Sequence, residues 1–221
     1  MSVDRVALPD GTVLPVRVVA PPRATPPRGT LVLAHGAGAD MDHPALVRLQ
    51  GLLATAGLVA VTFNFPYRAR GRPSAPDRMP VLVAAYTAVI DAVRAGAPRP
   101  FAIGGRSLGG RVASHVAAAG TAVDGLVFLA FPLHPPGKPG TSRAAHLAKI
   151  VPPMLFVQGT RDTFAQWDLL EGVLSHLPAA TLHAIPDADH GFHVPKRTGR
   201  TDAQVLADVA EVIGRWVTHT R

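Results

Sequence analysis

Five apolar runs constrain this chain more than any other feature. They read TLVLA before His35, LVAVTFNF over 58–65, FAIG over 101–104, GLVFLAF over 125–131 and MLFVQGT over 154–160. A strand with one wet face alternates apolar and polar residues, whereas a strand apolar at nearly every position must be covered on both sides. The stretches between the runs supply that cover. Residues 44–56 carry Leu46, Leu49, Leu52 and Leu53 as a helical stripe ended by Gly57, and 79–95, 108–119, 166–177 and 202–217 also read as helices. With a further strand over 181–185, this alternation predicts an α/β chain: a mostly parallel central sheet with helices on both faces. Residues 3–8 and 12–19 flank Pro9-Asp10-Gly11, which predicts a hairpin ahead of that sheet.

At 221 residues the chain can bury one large core. No low-complexity or charge-rich linker divides it, and the Pro-rich stretch 21–27 only joins the hairpin to the rest, so one domain over 1–221 is expected. No run of about 18 apolar residues occurs, and the start MSVDRVALPD has no apolar core of a signal peptide, so no membrane partner is expected. The absence of cysteine excludes a disulfide framework, a thiolate nucleophile and a zinc–thiolate site. It is compatible with a cytoplasmic location, which is the one expected. The net charge of +7 raises nucleic acid as a partner, but the arginines are dispersed, with no basic block and no nucleic-acid motif. No nucleic-acid partner is expected. His43, His115, His134, His146, His176, His183 and His219 show no pairing at metal-ligand spacing, so neither a metal nor a cofactor is expected.

The chemistry centres on FAIGGRSLGGRVAS, residues 101–114. Gly105-Arg106-Ser107-Leu108-Gly109 falls between a strand and a helix, the setting of a nucleophile elbow, where a tight turn exposes one hydroxyl. Strand and helix then approach so closely that the residues two before and two after the serine must be small; here both are glycine. Ser107 also stands at a helix N-terminus, which favours negative charge, so the Leu108 N–H is a natural oxyanion donor. A serine hydroxyl needs a base, itself oriented by a carboxylate, and such elbows are followed in the chain by the acid and then the histidine. Asp162, directly after the 154–160 strand, and His190, directly after the 181–185 strand, fit that order. Each has a plainer alternative: Asp162 as a helix N-cap, His190 as a surface-loop histidine. Asp187, Asp189 and His193 are the substitutes, with Asp187 and Asp189 better suited to shaping the loop. The loop His35-Gly36-Ala37-Gly38 follows the first sheet strand, and in related His-Gly loops the next residue supplies the second donor, here the Ala37 N–H. His35 is read as structural, and His134 as a residue lining the substrate pocket.

Taken together, AHGAG, NFPYRARGR, GGRSLGGR, FPLHPPGKP, VQGTRD and DADHGFHVPKR resemble the alpha/beta-hydrolase superfamily over nearly the whole chain. Within it they are similar to a compact branch that also resembles dienelactone hydrolases and includes a relative found in the NSL histone-acetyltransferase complex. Dienelactone hydrolases proper use a cysteine nucleophile, and this chain has none. The resemblance implies an alpha/beta-hydrolase fold and a serine hydrolase acting on a carboxylic ester or a related small acyl substrate. The alternative is a non-catalytic module of the same fold that binds proteins. Larger members insert a helical cap between the 125–131 and 154–160 strands; here only a Pro-rich loop with room for one short helix intervenes, which implies a minimal cap or none. Arg68, Arg70 and Arg72, Lys138 and Arg143, and Lys196, Arg197 and Arg200 follow strands at the same sheet edge. An anionic substrate, bound in part by Arg68 and Arg70, is one expectation from them. The other is that they are solvated or pair with acids such as Asp77 and Asp202.

Overall fold

A computed structural model describes residues 3–71 and 76–220. Its strands are β1 (Arg5–Ala7), β2 (Val13–Val19), β3 (Thr30–Ala34), β4 (Val59–Phe63), β5 (Phe101–Arg106), β6 (Gly125–Leu129), β7 (Met154–Gly159) and β8 (Ala180–Ile185). The helices are α1 (Pro44–Thr55), α2 (Pro66–Ala69), α3 (Met79–Arg94), α4 (Leu108–Ala118), α5 (Trp167–Leu174) and α6 (Asp202–His219). One sheet holds the strands in the order β1-β2-β4-β3-β5-β6-β7-β8. The hairpin pairs are antiparallel, as is β2 with β4; every pair from β4 to β8 is parallel.

The apolar runs are apolar throughout because their residues alternate between two cores. Val32, Ala34, Val61, Phe63, Ile103, Phe128 and Phe156 face α3, α4 and α5. Leu31, Leu33, Ala60, Ala102, Val127, Leu129, Leu155 and Val157 face α1 and α6. Each large side chain so buried contributes about 1.5–3 kcal/mol relative to an exposed one. The chain runs from β3 outward to β4, then back across β3 to β5. That reversal opens a crevice at the carboxyl ends of β3 and β5, the place where open α/β sheets bind ligands.

Several element ends are shifted from the expectation, and three differences have a plain physical cause. The strand expected over 101–104 continues to Arg106, because Gly104 and Gly105, turn-like in sequence, pair with Leu33 and Ala34 of β3. The helix expected over 166–177 stops at Leu174, where the coming Pro178 disfavours helical backbone just before it. The single turn α2 is too short for any apolar period to show in the sequence. Between β6 and β7, Ser142–Ala144 and Leu147–Lys149 form 3-10 turns within an otherwise irregular loop, and no helical cap covers the crevice. No helix among the described residues is long and apolar enough to cross a membrane.

Candidate active site

One residue makes the turn between β5 and α4. Ser107 sits at φ 52° and ψ −114°, a conformation costing an L-residue on the order of 1–3 kcal/mol. Its N–H donates to the Leu129 carbonyl at 2.9 Å, and its carbonyl accepts from the Arg111 N–H at 3.1 Å. The flanking glycines provide clearance. A Cβ on Gly105 would lie 2.5 Å from the Ala34 oxygen and 2.7 Å from the Gly109 carbonyl carbon, and one on Gly109 would overlap the Ala34 and His35 carbonyls. The first turn of α4 therefore rests directly on the ends of β3 and β5.

Two neighbouring loops bring an acid and a histidine to this turn. After β7 and β8 the chain is laced together: Thr160 N–H to the Ile185 carbonyl at 3.1 Å and Arg161 N–H to the Ala188 carbonyl at 2.9 Å. Asp189 Oδ1 accepts from the N–H groups of Gly191 at 2.7 Å and His193 at 2.9 Å, closing the bend that presents His190. Asp187 instead pairs with Arg197 at 2.5 Å, and His193 with Asp202 at 2.5 Å. His190 Nε2 then lies 2.9 Å from Ser107 Oγ and its Nδ1 2.8 Å from Asp162 Oδ2. A carboxylate only accepts, so Nδ1 carries the proton and Nε2 is free to take one.

The residues that hold this chain of bonds were not read from the sequence. Asp162, with no exposed side-chain surface, also accepts from Gln158 Nε2 at 2.6 Å and from the Phe164 N–H at 2.8 Å. The Phe164 ring stacks on His190 with centroids 4.3 Å apart. Arg106 donates from Nη2 to the His190 carbonyl at 3.0 Å. Burial lowers the Arg106 pKa, opposed by Asp189 and Asp162. Arg106 does have a sequence signal, as the residue just before the serine; Gln158 and Phe164 carry none.

The loop after β3 is fixed from behind. His35 donates from Nδ1 to the Gly36 carbonyl at 2.8 Å and accepts at Nε2 from the Phe65 N–H at 3.1 Å. Burial pushes its pKa down to about 4, so the ring is neutral, in agreement with a structural role. Tyr67 Oη donates to the Ala37 carbonyl at 2.9 Å. Because the Gly36–Ala37 peptide is trans, a Gly36 carbonyl held toward His35 turns the Ala37 N–H the opposite way. A Cβ on Gly36 would lie 3.7 Å from Ser107 Cβ, so this loop lies against the elbow. Leu108 begins α4, and its N–H has no partner within the helix.

Other candidates are engaged elsewhere. His134 is buried, donates from Nδ1 to the Pro135 carbonyl at 2.8 Å and accepts at Nε2 from the Gln166 N–H at 2.9 Å. With both nitrogens used it ties two loops together rather than lining a pocket. Arg68 pairs with Asp40 at 2.5 Å, Arg70 with Asp77 at 2.6 Å, and Arg200 with Asp208. Much of the expected basic rim is thus neutralised within the protein, and Arg72 lies outside the described residues. A narrow apolar cleft instead lies between α1 and the histidine loop, lined by Leu46, Leu49, Leu129, Phe192 and Leu206 beside Gly36 and Arg106. A second serine–histidine contact joins Ser114 Oγ and His146 Nε2 at 2.7 Å. There the serine gives its only proton to the Arg111 carbonyl, so the imidazole is the donor and cannot serve as its base. Among the described residues no cluster of three His, Cys, Asp or Glu could hold a metal ion.

Known proteins share this arrangement of strands. The structure is similar to that of an alpha-beta serine hydrolase homologue from Coxiella burnetii, with 21% identity, TM-score 0.76, and coverage of 96% of this chain and 95% of that one. A serine hydrolase without a lid from Xanthomonas campestris matches with 23% identity, TM-score 0.74, and coverage of 98% and 95%. A dienelactone hydrolase from Anabaena variabilis matches with 21% identity, TM-score 0.72, and coverage of 98% and 95%. Residues 27–218 match the family described as an alpha/beta hydrolase domain. With that span matched and the strand order above, the chain belongs to the alpha/beta-hydrolase family.

Proposed function

We propose that this protein is a serine hydrolase of carboxylic esters or related small acyl compounds. The observation that carries the reading is the continuous hydrogen-bonded chain from Ser107 Oγ through His190 to the buried Asp162 carboxylate, at 2.9 and 2.8 Å. Ser107 attacks the acyl carbonyl while His190 Nε2 takes its proton, and Asp162 stabilises the imidazolium that forms. The N–H groups of Leu108 and Ala37 receive the developing oxyanion; each such donor is worth about 3–4 kcal/mol in the transition state. His190 next protonates the departing alcohol, then activates the water that releases the acyl group. The open crevice suits small substrates, and the apolar cleft beside Gly36 suits a short aliphatic group. With Arg68 and Arg70 paired to acids, no anionic group on the substrate is needed.

A fluorophosphonate probe tests the reading directly. The parent protein is expected to label stoichiometrically and Ser107→Ala not at all, with hydrolysis of short acyl esters falling by about 10⁵–10⁶ in the variant. Absence of labelling in folded parent protein would favour the non-catalytic module. A milder change probes the oxyanion loop: Tyr67→Phe removes only the hydroxyl that anchors the Ala37 carbonyl. It is expected to lower kcat about tenfold and the unfolding free energy by about 1 kcal/mol, measured by steady-state hydrolysis and urea denaturation.

A further inference from the structure

Away from the elbow, α4 meets the loop that carries the two 3-10 turns, and the titratable side chains gathered there are all cation-forming. His115 and His146 stack ring on ring, with centroids 3.8 Å apart and planes 12° from parallel. Ser114 receives the Nε2–H of His146, which leaves His146 Nδ1 without a proton. Arg111 Nε is buried and has no hydrogen-bond partner, a costly state for a charged donor. Arg143 is close enough to repel Arg111, and Lys149 close enough to act on His146. Among the described residues no carboxylate pairs with any of these groups. Burial first, then the neighbouring cations, push His146 down to about 4 and also lower His115. A bound anion would offset the mutual repulsion, by pairing with the Arg111 guanidinium through its outer nitrogens, screening Arg143 and allowing the rings to take protons.

We propose that Arg111, Arg143 and the stacked His115–His146 pair form a binding site for an oxyanion of the phosphate class. A planar guanidinium fork together with imidazole donors matches an anion with several acceptor oxygens and more than one charge. The site does not depend on the hydrolase reading. The helical rise places Arg111 about 6 Å and His115 about 12 Å along the axis from Ser107. The oxyanion is therefore either a free anion or a phosphate carried on a substrate whose acyl group sits at the elbow.

Histidine ring signals followed by NMR during titration with inorganic phosphate, against chloride at equal ionic strength, test the site. The expected result is saturable movement of the His115 and His146 signals, with their titration midpoints raised by at least one pH unit, and at least tenfold weaker phosphate binding in Arg111→Met. Arg143→Met serves in the same way if Arg111→Met does not fold. Signals that move equally in chloride, or an affinity unchanged by the substitution, would overturn the proposal. A KM at least tenfold lower for a phosphate-bearing ester than for its neutral counterpart, lost in Arg111→Met, identifies the phosphate as part of the substrate. Equal KM values with phosphate binding intact identify a free anion.

Discussion

Asp162→Ala is expected to lower kcat by about 10⁴, and Asp162→Asn by only about 10²–10³. Alanine removes the charge and the shared acceptor of three donors, Gln158 Nε2, the Phe164 N–H and His190 Nδ1. The imidazole then has nothing to select its tautomer and no partner for its positive form. Asparagine offers two orientations. With its amide group toward Oδ2's position it would face two donors, Gln158 and His190; the other way round it faces one, the Phe164 N–H. Gln158 cannot turn over to relieve the clash, because its Oε1 already accepts from the Phe131 N–H at 2.8 Å. The cheaper orientation keeps a carbonyl against His190 Nδ1, so the tautomer survives and only the charge is lost. Steady-state kinetics of the two variants on one ester decide the point; an asparagine variant as slow as the alanine one would sink the orientation argument.

The meeting of Ser107, Asp162 and His190 was legible because all three follow parallel strands, and such strands end at one edge of the sheet. The central strands were legible because two-sided burial makes nearly every residue apolar. Gly104 and Gly105 hid the end of β5, since the residues that give clearance to the elbow are also those that look like a turn. Partners that depend on tertiary approach left no trace in local sequence. Arg68 lies 28 residues from Asp40, so its neutralisation could not be told from exposure at the crevice. His134 likewise follows a strand at the expected edge, yet Gln166, 32 residues on, takes its second nitrogen. Gln158 looks like any polar residue closing a strand until its amide is found on Asp162. Contacts of this kind depend on side-chain direction across loops, where no periodicity operates.

Gly109→Ala is expected to cost about 3 kcal/mol or more in unfolding free energy, a large share of the stability of a typical domain. The added methyl would meet the Ala34 carbonyl and the His35 oxygen, and these are backbone atoms without rotamers to change. Ala34 cannot retreat alone, because it pairs with Gly105 on one side and Phe63 on the other. Either α4 lifts and carries Ser107 with it, or the end of β3 withdraws and takes the His35–Ala37 loop. Both movements separate the hydroxyl from the Ala37 N–H assigned to the oxyanion, while Leu108 travels with Ser107, so the folded fraction should label with fluorophosphonate more slowly than the parent. Gly172→Ala is the matched control: this glycine lies inside α5 with nothing within 4 Å of a new methyl group. There alanine should stabilise by about 0.5–1 kcal/mol through helix propensity alone. Urea unfolding of the two variants beside the parent separates a steric cost from a general intolerance of glycine replacement. A Gly109→Ala protein that loses less than 1 kcal/mol and labels at the parental rate would mean that strand and helix do not meet as closely as the elbow requires.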